Sequence, residues 1–181
     1  MKHRAIFVLA ALLLGCKQEP IVTVRVPKEA AELPAAAPPS HADFEWSVPA
    51  GWTEKAPSQM RTGSFSARGE NGKEVDISVV ALSGDAGGDL ANVNRWRDQI
   101  GLPAIISSEL DRQSKIINPA GLRMRLVDFE NDGKRVIATI YFGSGKTWFF
   151  KMTGDSAATL SVKPAFSHFL QSLRPHAHDQ G

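Results

Sequence analysis

The chain has 181 residues with 21 Lys and Arg against 19 Asp and Glu, so its formal net charge is +2. Two of the basic residues, Lys2 and Arg4, lie in a predicted signal peptide, and the mature chain is left with balanced charge. This balance argues against nucleic-acid binding, which usually needs a basic surface. The single cysteine, Cys16, excludes an internal disulfide.

The N-terminal segment, residues 1–15, is predicted to be a lipoprotein signal peptide. Lys2 and Arg4 precede an apolar run, residues 6–14, which is shorter than the roughly 20 residues that a membrane-spanning helix needs. Leu13-Leu14-Gly15-Cys16 ends this run and resembles the bacterial lipobox, whose cysteine is diacylated and becomes the mature N-terminus. Cys16 is therefore the predicted lipidation site, and acyl chains such as palmitate would hold the protein on a membrane. The alternative is an ordinary signal peptide in which Cys16 is incidental.

Residues 16–43 are predicted to form an extended tether. Five prolines interleaved with alanines favour a semi-rigid chain over a packed element. The residue after the cysteine is Lys17 rather than Asp. By resemblance to lipoprotein sorting in double-membraned bacteria, this favours the outer membrane, with the protein facing the periplasm.

Residues 44–174 have the length of one globular domain with its own core, and residues 175–181 are predicted to be a flexible tail. The first half of the domain begins with apolar residues at alternate positions (Phe44, Trp46, Val48), followed by a turn at 49–52. Two strands are predicted after this turn, 60–67 and 75–82. Asn71-Gly72 lies between these strands and predicts a hairpin.

The stretch 87–103 predicts one amphipathic helix of about three turns. Leu90, Val93, Trp96 and Ile100 share one face at about 100° per residue, while Asn92, Arg95 and Gln99 fall elsewhere. Asp89 is a candidate N-cap, and Gly101 followed by Pro103 predicts the end. Because predicted strands precede and follow this helix, we expect it to pack across a sheet.

The second half predicts a short helix, an antiparallel meander and a final helix. Ser107 or Ser108 is expected to cap the short helix, which ends near Gln113. The predicted strands are 115–117, 122–129, 135–142 and 147–152, separated by turns rich in Gly and Asn. The final helix is expected to start at Gly154-Asp155, to reach Leu173 and to be kinked or split by Pro164. Its apolar residues are predicted to be Ala157, Leu160, Phe166, Phe169 and Leu170.

Two stretches resemble the PsbP-like domains. Trp46-Ser47-Val48-Pro49-Ala50-Gly51-Trp52 resembles the W-x-x-P-x-G-W motif with which these domains begin. Residues 148–154 and the helix that follows resemble the C-terminal part of these domains. The resemblance covers residues 44–173 and implies an α+β fold, an α/β/α sandwich around an antiparallel sheet. This superfamily includes the extrinsic P protein of photosystem II and small bacterial lipoproteins of unknown role. It implies no shared catalytic set, and likeness of fold does not assign a function.

Several apparent motifs are discounted. Gly143-Ser144-Gly145-Lys146-Thr147 imitates the end of a phosphate-binding loop, but Ile140 stands where a glycine is needed and a strand is predicted to follow. His176, His178 and Asp179 lie in the predicted tail, which is too flexible to preorganise a metal site. No metal site and no cofactor are therefore predicted.

The polar residues of the central helix form the candidate binding surface. Asn92, Asn94, Arg95 and Arg97 surround Trp96, and Arg61 and Arg123 are candidates to lie nearby. An Arg and Asn pair beside an aromatic edge can bind a carboxylate or a peptide. The structural alternative, which helical apolar stripes favour, places Trp96 in the core, Arg97 beside it through its aliphatic stem, and the asparagines at turn ends.

Two functions remain from the sequence alone. The first is a membrane-tethered, non-enzymatic binding or accessory module in the periplasm or at the cell surface, with a protein or peptide partner. The second is a small hydrolase or transferase that uses His168 with a carboxylate of the meander, Asp128 or Glu130. The enzyme hypothesis requires His168 to lie within hydrogen-bond reach of a carboxylate inside a cleft.

Overall fold

The computed structural model describes residues 43–56, 58 and 60–176. The predicted signal peptide, Cys16, the tether up to residue 42 and the tail residues 177–181 lie outside the described residues, so the hypotheses about them stay predictions. Within the described ranges, no helix combines the length and the apolar character needed to cross a membrane.

Within these ranges the chain forms nine strands and three α-helices. In chain order they are β1 (Phe44–Glu45), β2 (Trp52–Glu54), β3 (Gly63–Arg68), β4 (Glu74–Ser83), α1 (Gly88–Asp98), α2 (Ser107–Gln113), β5 (Ser114–Ile117), β6 (Met124–Asn131), β7 (Lys134–Gly143), β8 (Lys146–Asp155), α3 (Ser156–Ser172) and β9 (Arg174–Pro175). A short 3₁₀ helix, Pro119–Gly121, occupies the predicted turn before β6.

Seven strands form one antiparallel sheet in the order β2-β3-β4-β8-β7-β6-β5. The neighbours β5 to β8 confirm the predicted meander, and the hairpin of β3 and β4 joins it along β8. In that pairing Ser78 lies opposite Lys151, and Val80 lies opposite Phe149. A separate two-stranded sheet pairs β1 with β9, so Phe44 lies opposite Pro175.

Helix α3 covers one face of the main sheet. The core on this face is aromatic and aliphatic, and Phe65, Phe150 and Phe169 are fully buried in it. Trp46 and Trp52 of the W-x-x-P-x-G-W stretch pack against Phe169, with ring centroids 5.9 and 5.3 Å away. The two tryptophans therefore hold the start of the domain on its last helix.

Helix α1 covers the opposite face. Val93 and Trp96 of the predicted apolar stripe are buried together with Ile100, which follows the helix end. The Trp96 ring meets the Phe149 ring edge-on at 5.5 Å between centroids. The sheet thus lies between helical layers, which confirms the predicted α+β sandwich.

Both predicted N-caps of the middle helices are wrong. Helix α1 begins after Gly87, whose φ is +84°, and Asp89 lies in its first turn, where its carboxylate accepts a hydrogen bond from Arg125 Nε at 2.6 Å and does not cap the helix. Helix α2 begins after Ile106, and no serine caps it. The Glu109 carboxylate accepts the Ile106 amide at 3.0 Å, so an acidic residue in the first turn satisfies the helix start.

The Asn71-Gly72 hairpin is confirmed with a longer loop. The Gly69 amide donates to the Lys73 carbonyl at 2.9 Å, and only Gly72 in this loop has a positive φ, +75°. The side chain of Asn71 instead donates to Asp155 Oδ1 at 2.8 Å. The loop is therefore fastened to the start of α3.

Helix α3 begins where the sequence predicts, but its interior differs from the prediction. Asp155 caps it by accepting the Ala158 amide at 3.2 Å. The helix continues through Pro164, so the predicted split is wrong, and the alternative, a kink, stays a prediction. Pro164 has no N–H to donate to the Leu160 carbonyl, and both residues are exposed. Ala157 and Leu160 face solvent, and Ala158 and Val162 take the predicted core positions.

Candidate functional site

A groove lies between α1 and the sheet, over β4 and β8. It has a volume of about 390 Å³. We call it the cationic groove, and its lining residues are Met60, Arg61, Ser78, Val80, Leu82, Arg95, Trp96, Gln99, Phe149 and Lys151. It forms because α1 packs mainly on β6, β7 and Phe149 of β8, leaving the same face of β4 partly uncovered.

One wall of the groove contains Arg61, which forms an ion pair with Asp76. Arg61 donates to both carboxylate oxygens of Asp76, with each N–O distance 2.9 Å, and to the Ser64 hydroxyl at 3.1 Å. The hydrogen bond to Asp76 is the main reason that the pKa of Arg61 lies above its ordinary value. Because this pair is bidentate, Asp76 neutralises Arg61 and holds it in place.

Lys151 lies on the floor of the groove. Its Nζ donates to Gln99 Oε1 at 3.1 Å and lies 5.9 Å from the centre of the Trp96 ring. Burial lowers the pKa of Lys151; the nearby Asp76 opposes this shift, while the charges of Arg61 and Arg95 add to it. An anion in the groove would therefore relieve a crowding of positive charge.

Arg95 forms the helix side of the groove. Its side chain is exposed, as the helix pattern predicts, and its Nη2 donates to Asn92 Oδ1 at 2.5 Å. A guanidinium has five N–H donors in a rigid fork, so this single bond leaves Arg95 with donors for a ligand.

The other polar residues of the predicted binding surface hold the fold. Asn92 is 1% exposed and donates to the carbonyls of Ala86 and Gly88 at 3.0 and 2.8 Å. Asn94 bonds both the amide and the carbonyl of Ile105, at 2.8 and 3.0 Å. The two asparagines therefore fasten the loops before and after α1, as the structural alternative proposes.

Arg97 is also internal. It is 7% exposed, donates from Nε to the Pro103 carbonyl at 2.9 Å and stacks over Phe129 at 5.6 Å. Of the predicted surface, only Arg95 and one edge of Trp96 line the groove. Arg61 joins them as expected, whereas Arg123 is exposed and lies outside the lining.

The sequence reasoning missed Lys151, although a signal for it was present. In β8 the buried Trp148, Phe150 and Met152 alternate with Phe149 and Lys151, which face α1. A lysine within an otherwise apolar strand marks a place where that face is incompletely covered.

The predicted pairing of His168 with a carboxylate is wrong. His168 is exposed beside a shallow depression lined by residues 47–50 and α3, which contains no carboxylate. Asp128 is held by Arg135 and Lys163, with N–O distances of 2.5 and 2.7 Å. Burial would raise the pKa of Asp128, but these two bonds lower it overall. Glu130 accepts the Gly133 amide at 3.4 Å.

The remaining motifs provide no site within the described residues. Residues 143–147 form the hairpin turn into β8, so no helix N-terminus faces a phosphate there. No group of three or more His, Cys, Asp or Glu that could hold a metal occurs among the described residues. His176 lies 3.9 Å from a carboxylate oxygen of Glu45, while His178 and Asp179 lie outside the described part.

A wider, shallower depression of about 790 Å³ adjoins the cationic groove at Gln99. Its charges compensate one another, since it is lined by Lys73, Lys134, Asp132 and Asp155, and Lys73 bonds Asp155 at 2.5 Å. The cationic groove is therefore the better candidate site.

No protein-family model matches the chain, and no curated protein matches its sequence. Among solved structures it is similar to cyanobacterial PsbP (CyanoP) from Synechocystis, with 14% identity and a TM-score of 0.47 over 76% of this chain and 89% of that one. It is also similar to LpqN, involved in cell envelope biogenesis of Mycobacterium tuberculosis, with 14% identity and a TM-score of 0.40 over 73% and 82% of the chains.

A Bacteroides thetaiotaomicron structure shows 12% identity and a TM-score of 0.45 over 76% of this chain, which spans about half (47%) of that protein. A PsbP protein is among the similar structures. The likeness is one of fold.

Proposed function

We propose that this protein is a lipoprotein tethered to a membrane through Cys16, which acts as a non-enzymatic binding or accessory module in the periplasm or at the cell surface. The proposed anchor is the outer membrane, with the protein facing the periplasm. Its ligand carries a carboxylate, which is bound in the cationic groove. The observation that carries this proposal is the pair of cations in the groove, Lys151 on its floor and Arg95 on its helix side, each of which gives only one hydrogen bond to the fold.

The hydrogen bonds of the groove leave donors for a ligand. Lys151 has three N–H donors and gives one to Gln99, while Arg95 gives one of its five to Asn92. The carboxylate of Asp76 is engaged by Arg61. Charge-assisted bonds to a carboxylate are about twice as strong as neutral ones.

Binding is favoured over catalysis by the groups that line the groove. Ser78 lies opposite Lys151 in the sheet, but among the described residues no hydrogen bond joins the two side chains, because Lys151 turns to Gln99. A serine nucleophile needs a base within hydrogen-bond reach. The groove therefore offers cations, an amide and apolar surface.

A titration followed by nuclear magnetic resonance tests the groove. The mature chain carrying Cys16→Ser is titrated with acetate, benzoate and decanoate, and with the corresponding amines. We expect the carboxylates to shift the amide signals of residues 78–82 and 149–151, and the amines to leave them unchanged.

Variants locate the binding. Arg95→Gln or Lys151→Gln should weaken carboxylate binding about tenfold or more, because each removes a charged hydrogen-bond donor. Arg112→Gln and Lys115→Gln, exposed residues outside the groove, are the matched controls. If no carboxylate shifts the groove signals, the proposed function is wrong.

The tethering is tested separately with Cys16→Ser in the full precursor. We expect this variant to remain unprocessed or to become soluble, because Cys16 is the only cysteine that could carry acyl chains. Membrane fractionation and labelling with radioactive palmitate measure the outcome. Processed protein that stays tightly membrane-bound without label would contradict lipidation at Cys16.

A further inference from the structure

The floor of the cationic groove is divided along its length into a polar and an apolar part. Ser78 and Lys151 form one cross-strand row, and Val80 and Phe149 form the next row on the same face. Leu82 continues the apolar part along β4. From the row of Ser78 to Leu82 the floor extends about 13 Å, at about 3.3 Å per residue.

The charged groups lie around the polar part. The Nζ of Lys151 rises from this row and bonds Gln99, and Arg61 bonds Asp76 of β4 and also Ser64 of β3, which lies opposite Ser78. Arg95 stands on the helix side. A negatively charged group of the ligand would be most stable here.

The apolar part is narrow and has an adaptable rim. One row of side chains from each of two strands, about 4.8 Å apart, forms the floor, and the Trp96 edge forms the wall. Met60 lies on the opposite rim with 71% of its surface exposed. A flexible methionine side chain can fold over an apolar ligand and become buried.

Leu82 is the last residue of β4 in the lining of the groove. Thr147, which lies opposite Leu82, is 3% exposed, and its hydroxyl donates to the Gly84 carbonyl at 2.7 Å. The apolar part therefore has a defined length, with the cations near one end.

We infer that the ligand of the cationic groove is an amphipathic carboxylate, with its acidic head at Lys151 and a single unbranched or flat apolar body along Phe149, Val80 and Leu82. This inference rests on the proposed function and specifies its ligand class. A free acid and the acidic end of a larger lipid or peptide share this chemistry.

Calorimetric titrations below the micelle concentration test the inference on the mature chain carrying Cys16→Ser. Decanoate, whose extended chain is comparable in length to the floor, should bind at least about tenfold more tightly than acetate, because only decanoate buries apolar surface. Decanol, which has the tail without the charge, should also bind about tenfold more weakly than decanoate.

Two variants separate the head from the tail. Lys151→Gln should weaken both decanoate and acetate, whereas Met60→Gln should weaken decanoate about threefold and leave acetate unchanged. Met60 is exposed, so this change should not disturb folding, and Ile106→Gln, at a residue 65% exposed and outside the groove, is the matched control.

The outcomes distinguish the inference from the function on which it rests. If acetate binds as tightly as decanoate and both depend on Lys151, the carboxylate site stands and the amphipathic ligand is wrong. If neither binding depends on Lys151 or Arg95, both fail. A decanoyl peptide with a free C-terminal carboxylate that binds more tightly than decanoate would assign the acid to a larger molecule, and equal or weaker binding would assign it to the free acid.

Discussion

Arg95 and Arg97 lie two residues apart on one helix and have different roles. At about 100° per residue they point to nearly opposite sides of α1, so Arg95 is exposed at the groove and Arg97 is 7% exposed against Phe129. The sequence shows two arginines beside one tryptophan, and residue type alone does not separate them. The internal role of Arg97 depends on the loop after the helix, because the Pro103 carbonyl accepts a hydrogen bond from Arg97 Nε.

The free energies of unfolding of Trp96 and Arg95 variants test which of these residues belongs to the core and which to the surface. Trp96 is 3% exposed and packs on Phe149, so Trp96→Ala should lower the free energy of unfolding by about 3–5 kcal/mol. Arg95→Ala removes the donor to the buried Asn92 and should cost at most about 1 kcal/mol. The exposed Arg112→Ala is the control, within about 0.5 kcal/mol. Urea denaturation measures all three, and a nearly neutral Trp96→Ala would show that α1 does not pack on the sheet.

At the scale of elements, the start of α3 is the place where pH should act. Asp155 accepts hydrogen bonds from Lys73, the Ala158 amide and Asn71, which together lower its pKa to about 2. A carboxyl whose pKa is lower in the folded state stabilises the fold above the pKa of the unfolded chain. This contribution is lost as the pH falls from about 4 through about 2.

Asp155→Asn tests that assignment. The amide oxygen of Asn can still accept the Ala158 amide but forms no ion pair with Lys73. The variant should therefore be less stable at neutral pH and should lose less stability than the original chain between about pH 4 and 2. Urea midpoints at several pH values measure this, with Asp98→Asn as the control. Parallel acid profiles for Asp155→Asn and the unchanged chain would contradict the role of Asp155.

Most elements follow from local patterns in the sequence, whereas the caps of α1 and α2 do not. Alternation and turn residues predict β4, β6, β7 and β8 to within a few residues, because one face of each strand is buried. The wrong N-cap at Asp89 has a long-range cause, since Arg125, 36 residues away, competes for its carboxylate. At α2 the carboxylate of Glu109 replaces a serine cap.

At the scale of the molecule, the candidate site could be predicted only in part. Trp96 and Arg95 are visible in the helix pattern, since both lie on one element. Lys151 joins them through the pairing of β4 with β8, in which Ser78 and Lys151 are 73 positions apart and become neighbours. No local pattern specifies that β8 pairs with β4 as well as with β7, so the floor of the groove requires the sheet order.

The boundary between tether and domain gives the last prediction. The sequence predicts that residues 16–43 form an extended tether, yet the side chain of Asp43 is 12% exposed and accepts a hydrogen bond from Lys146 Nζ at 2.7 Å. Its carbonyl also accepts the His176 amide at 2.9 Å, beside the pairing of β1 with β9.

Deleting residues 17–42 should therefore leave the melting temperature unchanged, because the five prolines of this segment favour extended chain. Deleting 17–43 should lower it by a few degrees at most, because it removes the ion pair of Asp43 with Lys146, worth up to about 1 kcal/mol, while the carbonyl of residue 16 takes the place of the Asp43 carbonyl. Asp43→Asn, which removes the same charge, should match this longer deletion. Calorimetric melts of the mature chain carrying Cys16→Ser measure all three. A large fall in melting temperature on deleting 17–42 would mean that the domain begins within the predicted tether. Equal melting temperatures for the two deletions would show that Asp43 belongs to the tether.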